Sequence, residues 1–382
     1  MNLVKKNKIW LSIIFLLSFS SGVYSISQMT HRLVIADEGN GKVHYVNLNN
    51  PSEKWSATCS NRDLQLIGND RLLVSDNGGS GYSEFNLTTG ALLRHVALSG
   101  VANGINSAFC LSSKNVYCTR DGSPAKIIKT DSTGKILSSI NIDATVRICR
   151  PTTNGTFIIG GKAAGMLTEF DSTGKKIWEC NAGGDPYMAL RLPNGTTLIS
   201  TGYSGQMVLA DKQGAVIKKF PQSSDKLKDS LFWKQANPNF FAGFQILSSG
   251  SIVVANWQGH GAGHGNSGYQ LIEIDSALTM PVSYWKQDAS MVSSIHGVLV
   301  LDNIDTKILH SDYNGKLQPI PDPVAISLTS EIKLEKAIIS GAASVRVFDL
   351  HGRLMPLQGA NCRFVETKGN IPLMRGLENK SY

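Results

Sequence analysis

The chain has 382 residues and a formal net charge of +8, with 37 glycines and only 17% charged residues. No Lys/Arg cluster interleaved with aromatics occurs, which argues against a nucleic-acid partner. No long stretch carries the 3.6-residue apolar period of a substantial helix, so the composition favours a repeated all-β fold, a class that uses about 350 residues as one domain.

Taken in chain order, residues 1–25 read as a removable export signal. Lys5, Lys6 and Lys8 form a basic start, Ile9 to Phe19 is an apolar run too short to span a bilayer, and Val23-Tyr24-Ser25 offers a cleavage site. Removing this segment lowers the net charge to +5. No second run of membrane-spanning length follows, so the expected product is exported to periplasm, cell surface or medium with no membrane span.

The next signal is a segment that recurs every 39 to 54 residues, beginning at Leu33, Leu72, Val116, Phe157, Leu198, Ile252 and Val298. Each copy holds a short apolar strand, a Gly/Asn/Asp-rich turn, a second alternating strand, a "TG"- or "NG"-like turn and a third strand. Short strands precede most copies through turns such as Pro193-Asn-Gly195 and Ser248-Ser-Gly250, so each unit reads as a four-stranded antiparallel meander. Such a small sheet is marginal alone, and stacking in a ring buries both faces. The predicted fold is a β-propeller of about seven four-stranded blades over residues 26–320. Six blades closed by a shared strand is the alternative, because little sequence precedes Leu33.

Asp171-Ser-Thr-Gly-Lys-Lys-Ile-Trp178 resembles the repeat of pyrroloquinoline-quinone-like propellers, in which a Thr-Gly-Lys turn precedes a Trp that docks one blade on the next. Asp131-Ser-Thr-Gly-Lys135 and Leu87-Thr-Thr-Gly90 match the turn, and Trp55 and Trp285 stand in degenerate copies. The resemblance implies the fold and no cofactor, since quinone-dependent dehydrogenases of this type have eight blades and adjacent cysteines that this chain lacks.

From Pro319 the pattern changes, and Pro319, Pro321 and Pro323 mark a connector assigned to residues 321–340. Residues 341–382 form a further β segment in which Ala343 to Met355 alternates and turns at His351-Gly352. Asp349, Gly352 and Arg353, with Gly369, Leu373, Met374 and Arg375, resemble the C-terminal sorting module of type IX secretion cargo. That resemblance implies the secretion machinery as a partner; a small hairpin packed on the propeller is the alternative.

Two insertions stand out. Trp257-Gln-Gly-His260-Gly-Ala-Gly-His264 lengthens one repeat and is too Gly-rich for a helix, so its histidines are candidates for ligand contact more than for metal. Asp225 to Phe244 brings Phe232, Trp233, Phe240 and Phe241 to the same blade. On a propeller frame the loops between second and third strands carry Asp37, Glu38, Asn77, Arg120, Asp121, Lys162, Tyr203 and Trp257. The connections between blades carry Asn106, Arg147, Tyr187 and His296. The ligand-binding set expected from this frame is Trp257, His260, His264, Arg147, Tyr187, Asn106, Arg120 and His296, with no metal and no cofactor. No nucleophile elbow, metalloprotease motif or phosphate loop is present.

Cys110 and Cys118 flank a predicted turn and are either a strained bridge or, like the other cysteines, small apolar core residues. The reading for function is an exported non-catalytic binding or scaffolding propeller engaging a saccharide or peptide. The alternative is an envelope enzyme, a polysaccharide lyase or hydrolase or a sulfotransferase-like protein, using the same face.

Overall fold

The computed structural model describes residues 26–320 except 112–113, 162–164, 223–225, 288–290 and 314, together with the strands Val347–Phe348 and Leu354–Met355. The chain divides into two units, residues 1–323 and 324–382. In the second, Val347 pairs with Met355 and Phe348 with Leu354, antiparallel. The export signal, the 321–340 connector and the sorting residues Asp349, Gly352, Arg353, Gly369 and Arg375 lie outside the described residues.

The first unit is a propeller of six four-stranded blades, numbered here along the chain. Blades 2 to 5 are consecutive meanders spanning residues 64–97, 105–142, 149–181 and 188–220, and blade 6 spans residues 240–285. Each runs outward from the axis, and each innermost strand touches those of the neighbouring blades, the sixth touching the first. Blade 1 closes the ring: its three outer strands, Arg32–Asp37, Lys42–Asn47 and Lys54–Thr58, are completed on the inside by Ile295–Val300, which pairs with Arg32–Asp37 antiparallel. The opposite terminus adds to the closure, since Ser27–Gln28 lies parallel on the outer edge of blade 6.

The six copies beginning at Leu33, Leu72, Val116, Phe157, Leu198 and Ile252 each supply the second strand of a blade. The copy at Val298 is different, and this settles the count at six. Its first residues are the inner strand of blade 1, and the rest, 301–320, is a strap under the ring with a short pairing of His310–Ser311 to Gln318–Pro319.

The repeat motif explains how blades grip one another. In the turns at Asp131, Asp171 and Asp211 the carboxylate accepts the backbone N–H groups two and four residues on. The following Gly134, Gly174 and Gly214 hold φ near +90°, which favours glycine. These turns press on the outer strand of the preceding blade; a Cβ on Gly214 would lie 2.1 Å from the Glu179 carbonyl oxygen. Trp55 and Trp178 seal the same seam, their indole N–H groups donating to the carbonyls of Leu87 (2.8 Å) and Lys212 (3.0 Å) in the next blade. Trp285 is not equivalent: Ser283 occupies that register in blade 6, and Trp285 is buried two residues further on.

Buried glutamines tie the inner strands. Gln65 of blade 2 accepts from and donates to the Cys110 backbone of blade 3, and Gln245 of blade 6 does the same to Val300. At the rim, a β-bulge in the outer strand of blades 2 to 6 falls on an exposed apolar residue, Leu93, Leu137, Ile177, Ile217 and Val282. Such bulges discourage pairing of the edges with other chains.

The five described cysteines, Cys59, Cys110, Cys118, Cys149 and Cys180, are free thiols packed in the core. Cys110 pairs in register with Val116 and Cys118 with Ala108, so the predicted turn does not set the two thiols opposite each other. Burial pushes the Cys59 and Cys149 thiols up to about 12 and Cys110 up to about 11, which keeps them protonated and unreactive.

Candidate functional site

The connections after each second strand and those between blades emerge at one end of the channel, and several of them bring side chains together there. The anchor is the turn after Asp37. The Asp37 carboxylate is wholly buried and accepts the backbone N–H groups of Ser293 and Ser294, both at 2.9 Å. Burial alone would raise its pKa, but bonds from His44, Ser294 and Ser293 reverse this and hold it low. Asp37 thus fixes where Glu38 and the start of Ile295–Val300 sit.

Glu38 is the hub of the mouth. Its carboxylate accepts the Trp257 indole N–H (3.2 Å) and meets His260 Nδ1 at 3.0 Å. It also lies 3.8 Å from Arg62 and 3.8 Å from His296 Nδ1. Below it runs an aromatic stack: Tyr187 on His296 with ring centres 5.4 Å apart, and His296 on Trp257 at 5.3 Å. Phe240 meets Tyr187, Trp257 and Tyr203 edge to face, and Tyr203 remains 56% exposed at the outside of this row.

Three polar atoms in and beside this stack are buried without being satisfied. Tyr187 Oη, His296 Nδ1 and Arg62 Nε have no hydrogen-bond partner among the described residues. Burial, reinforced by the positive charges of Arg62 and Arg147, drives the His296 pKa far below its ordinary value, so its imidazole is neutral. Burial drives the Tyr187 phenol the other way, up, against the pull of Arg62 and Arg147.

The expected site residues divide. Trp257, His260, Tyr187 and His296 come together around Glu38, and Arg147 is close enough for its charge to act on Tyr187 and His296. Arg147 also meets Asp121 at 3.4 Å. Asn106 is spent on structure, donating to the Val146 carbonyl and accepting from Asn77. His264 pins its own loop: its ring contacts the His260 carbonyl at 2.9 Å and its backbone N–H donates to Ser293. The two loop histidines therefore face different partners, and among the described residues no three metal-type side chains converge. Arg120 ends the second strand of blade 3, its Nε buried without a partner. Lys162 lies outside the described residues.

The 225–244 insertion contributes one residue to the mouth. Trp233, on the short helix Leu231–Ala236, packs against Phe220 and Phe241, and Phe232 packs on Tyr269 and Tyr284. Only Phe240 reaches the Tyr187 and Trp257 rings. Arg62 is absent from the sequence-based set because the inner strand it precedes, Leu64–Leu66, is too short to show a period.

The far end of the channel is shut. Arg150 reaches across it to Asp63 (2.7 and 2.9 Å) and to Asp312 of the strap (2.9 Å), and Gln65 donates to the His310 carbonyl. The space left between Arg62 and Asp312 is about 20 Å³, the size of one water.

Fold and site together define a six-bladed β-propeller with a charged, aromatic mouth at one end of a plugged channel. No family model matches the chain, and no curated protein matches it in sequence. Among solved structures, a protein of unknown function from Bacteroides caccae is similar at 19% identity and TM-score 0.57, covering 71% of this chain and 98% of that one. A streptogramin B lyase (12% identity, TM-score 0.48) covers 69% and 83% respectively. A catalytically inactive virginiamycin B lyase from Staphylococcus aureus, solved with quinupristin (10%, 0.47), covers 68% and 86%. At these identities the likeness concerns the fold alone.

Proposed function

We propose that this chain is an exported binding propeller that engages a saccharide or peptide at the Glu38 mouth without transforming it. The observation that carries the reading is the set of buried, unpartnered polar atoms, Tyr187 Oη, His296 Nδ1 and Arg62 Nε, gathered beside an aromatic row. Leaving a buried polar group unmatched costs about 1–3 kcal/mol, and a ligand that supplies the missing partners recovers it. Tyr203, exposed and backed by Phe240, offers the apolar contact that ring C–H groups of a sugar or a peptide side chain require. Export rests on the signal-like residues 1–25, and delivery to the surface on the sorting-like residues 341–382.

A glycan and peptide array with the purified protein tests the reading. Saturable binding that falls about tenfold in Tyr203→Ala, an exposed position whose loss spares the core, supports it; absence of any binding sinks it. A second reading has one observation in its favour: the His296 imidazole stands 3.8 Å from the Glu38 carboxylate, an acid–base pair at the mouth. Substrate turnover abolished in His296→Gln, with the fold intact, establishes an enzyme instead. Deleting residues 341–382 is expected to leave a folded propeller in the periplasm, and unchanged secretion overturns the sorting assignment.

A further inference from the structure

We infer that the mouth selects an acidic saccharide, with Arg62 as the carboxylate anchor and Arg147 and Tyr187 as its neighbours; this rests on the binding function proposed above. The Arg62 guanidinium is largely buried and makes no side-chain hydrogen bond among the described residues. Its nearest carboxylate oxygen, on Glu38, is 3.8 Å away, well beyond the 2.7–2.9 Å or so of a charge-assisted bond. A guanidinium carries five N–H donors and no acceptor, and here the Nε is buried without a partner among the described residues, so an anion docking on this fork satisfies a donor that the fold leaves unmet.

The neighbours ask for the same chemistry. Glu38 cannot turn to Arg62 without leaving Trp257 and His260, which hold both its oxygens. Arg147 faces Asp121 at 3.4 Å, also longer than a formed charge-assisted bond, and its other contact is the Val146 carbonyl. Tyr187 Oη, without a partner among the described residues, lies within the field of both arginines. The unmet groups are therefore mainly donors, and a carboxylate presents up to four acceptor positions in a plane that matches the guanidinium fork. Tyr203, exposed and backed edge to face by the buried Phe240 and Trp257, gives the ring that bears the carboxylate a surface to lie on. A uronic acid combines both features in one residue.

The test compares tetragalacturonate, its methyl ester and an acidic peptide, tetraglutamate, by titration calorimetry on the full-length protein. The expected result is that the free acid binds at least tenfold more tightly than the ester and the peptide. The preference should weaken with salt, vanish in Arg62→Gln and partly return in Arg62→Lys. Arg147→Gln, at a more exposed position, provides the same readout should Arg62→Gln fail to fold. Equal affinity for acid and ester overturns the acidic preference while leaving the binding function standing; tighter binding of the peptide replaces the saccharide; no binding of any probe, with no saccharide bound on the array, overturns both.

Discussion

At the scale of single residues, the Asp-x-x-Gly turns are where local backbone chemistry becomes interblade packing. Gly214 sits at φ +88° with the Glu179 carbonyl where a side chain would go. Gly214→Ala therefore combines a left-handed non-glycine backbone with a steric clash, and is expected to cost about 2–4 kcal/mol. The denaturation midpoint in urea checks this; a change under 0.5 kcal/mol or so would show that the seam has slack. The motif was legible in the sequence because Asp171, Gly174 and Trp178 act within a few residues of one another. Arg62 was not, since its importance comes from what it lacks in three dimensions, and a linear pattern does not record a missing partner.

Among elements, the strap of residues 301–320 meets the ring through one buried cation as well as through the backbone N–H groups of Asn69 and Asp70 and the Gln65 amide. Arg150 serves Asp63 through two bonds and Asp312 through one, all within the core. Burial raises the Asp312 pKa even though Arg150 opposes this, so two carboxylates compete for one guanidinium. Arg150→Met would strand both acids and is expected to destabilise the fold by about 3–5 kcal/mol. Asp312→Asn removes the less well served acid and should cost about 1 kcal/mol or less. Equal effects in the two variants, measured by chemical denaturation, would refute this division of labour. The strap also shows why the blade count was open in the sequence. Ile295–Val300 reads as the start of a seventh unit because its apolar alternation matches the others, while its partner strand lies about 260 residues earlier. The inner strands Leu64–Leu66 and Cys149–Pro151 were similarly hidden, whereas the second strands of all six blades, even the three-residue Phe157–Ile159, were placed by their repeat.

For the whole molecule, buried glutamates stand on the third strands of blades 2, 4 and 6, and Glu273 among them shapes the response to acid. Glu84 is held by Arg71 and Arg94, Glu169 by Arg191 and Thr156, and Glu273 by Ser251 and Ser283 with His31 at 3.5 Å. Burial pushes Glu273 up, but His31, Ser251 and Ser283 more than reverse this and hold it down to about 2. A depressed carboxylate stabilises the fold above its unfolded value near 4.5, and that stabilisation is lost as pH falls toward 2. The loss amounts to about 3 kcal/mol. His31 works in the opposite sense: Glu273 raises its pKa, so its contribution is present below about 6.5 and fades as pH rises through the raised value. His296, depressed by burial, adds a further loss of stability on acidification below about 6.5. Urea midpoints across pH 2 to 9 should thus fall steeply on the acid side, and Glu273→Gln should flatten that limb by lowering stability at neutral pH. A variant that keeps the full acid slope would contradict the assignment.

Because the strap and Arg150 stopper one end of the axis, the channel is a blind well. Whatever meets the Glu38 mouth must therefore leave by the way it came, since the axis offers no exit at the opposite face.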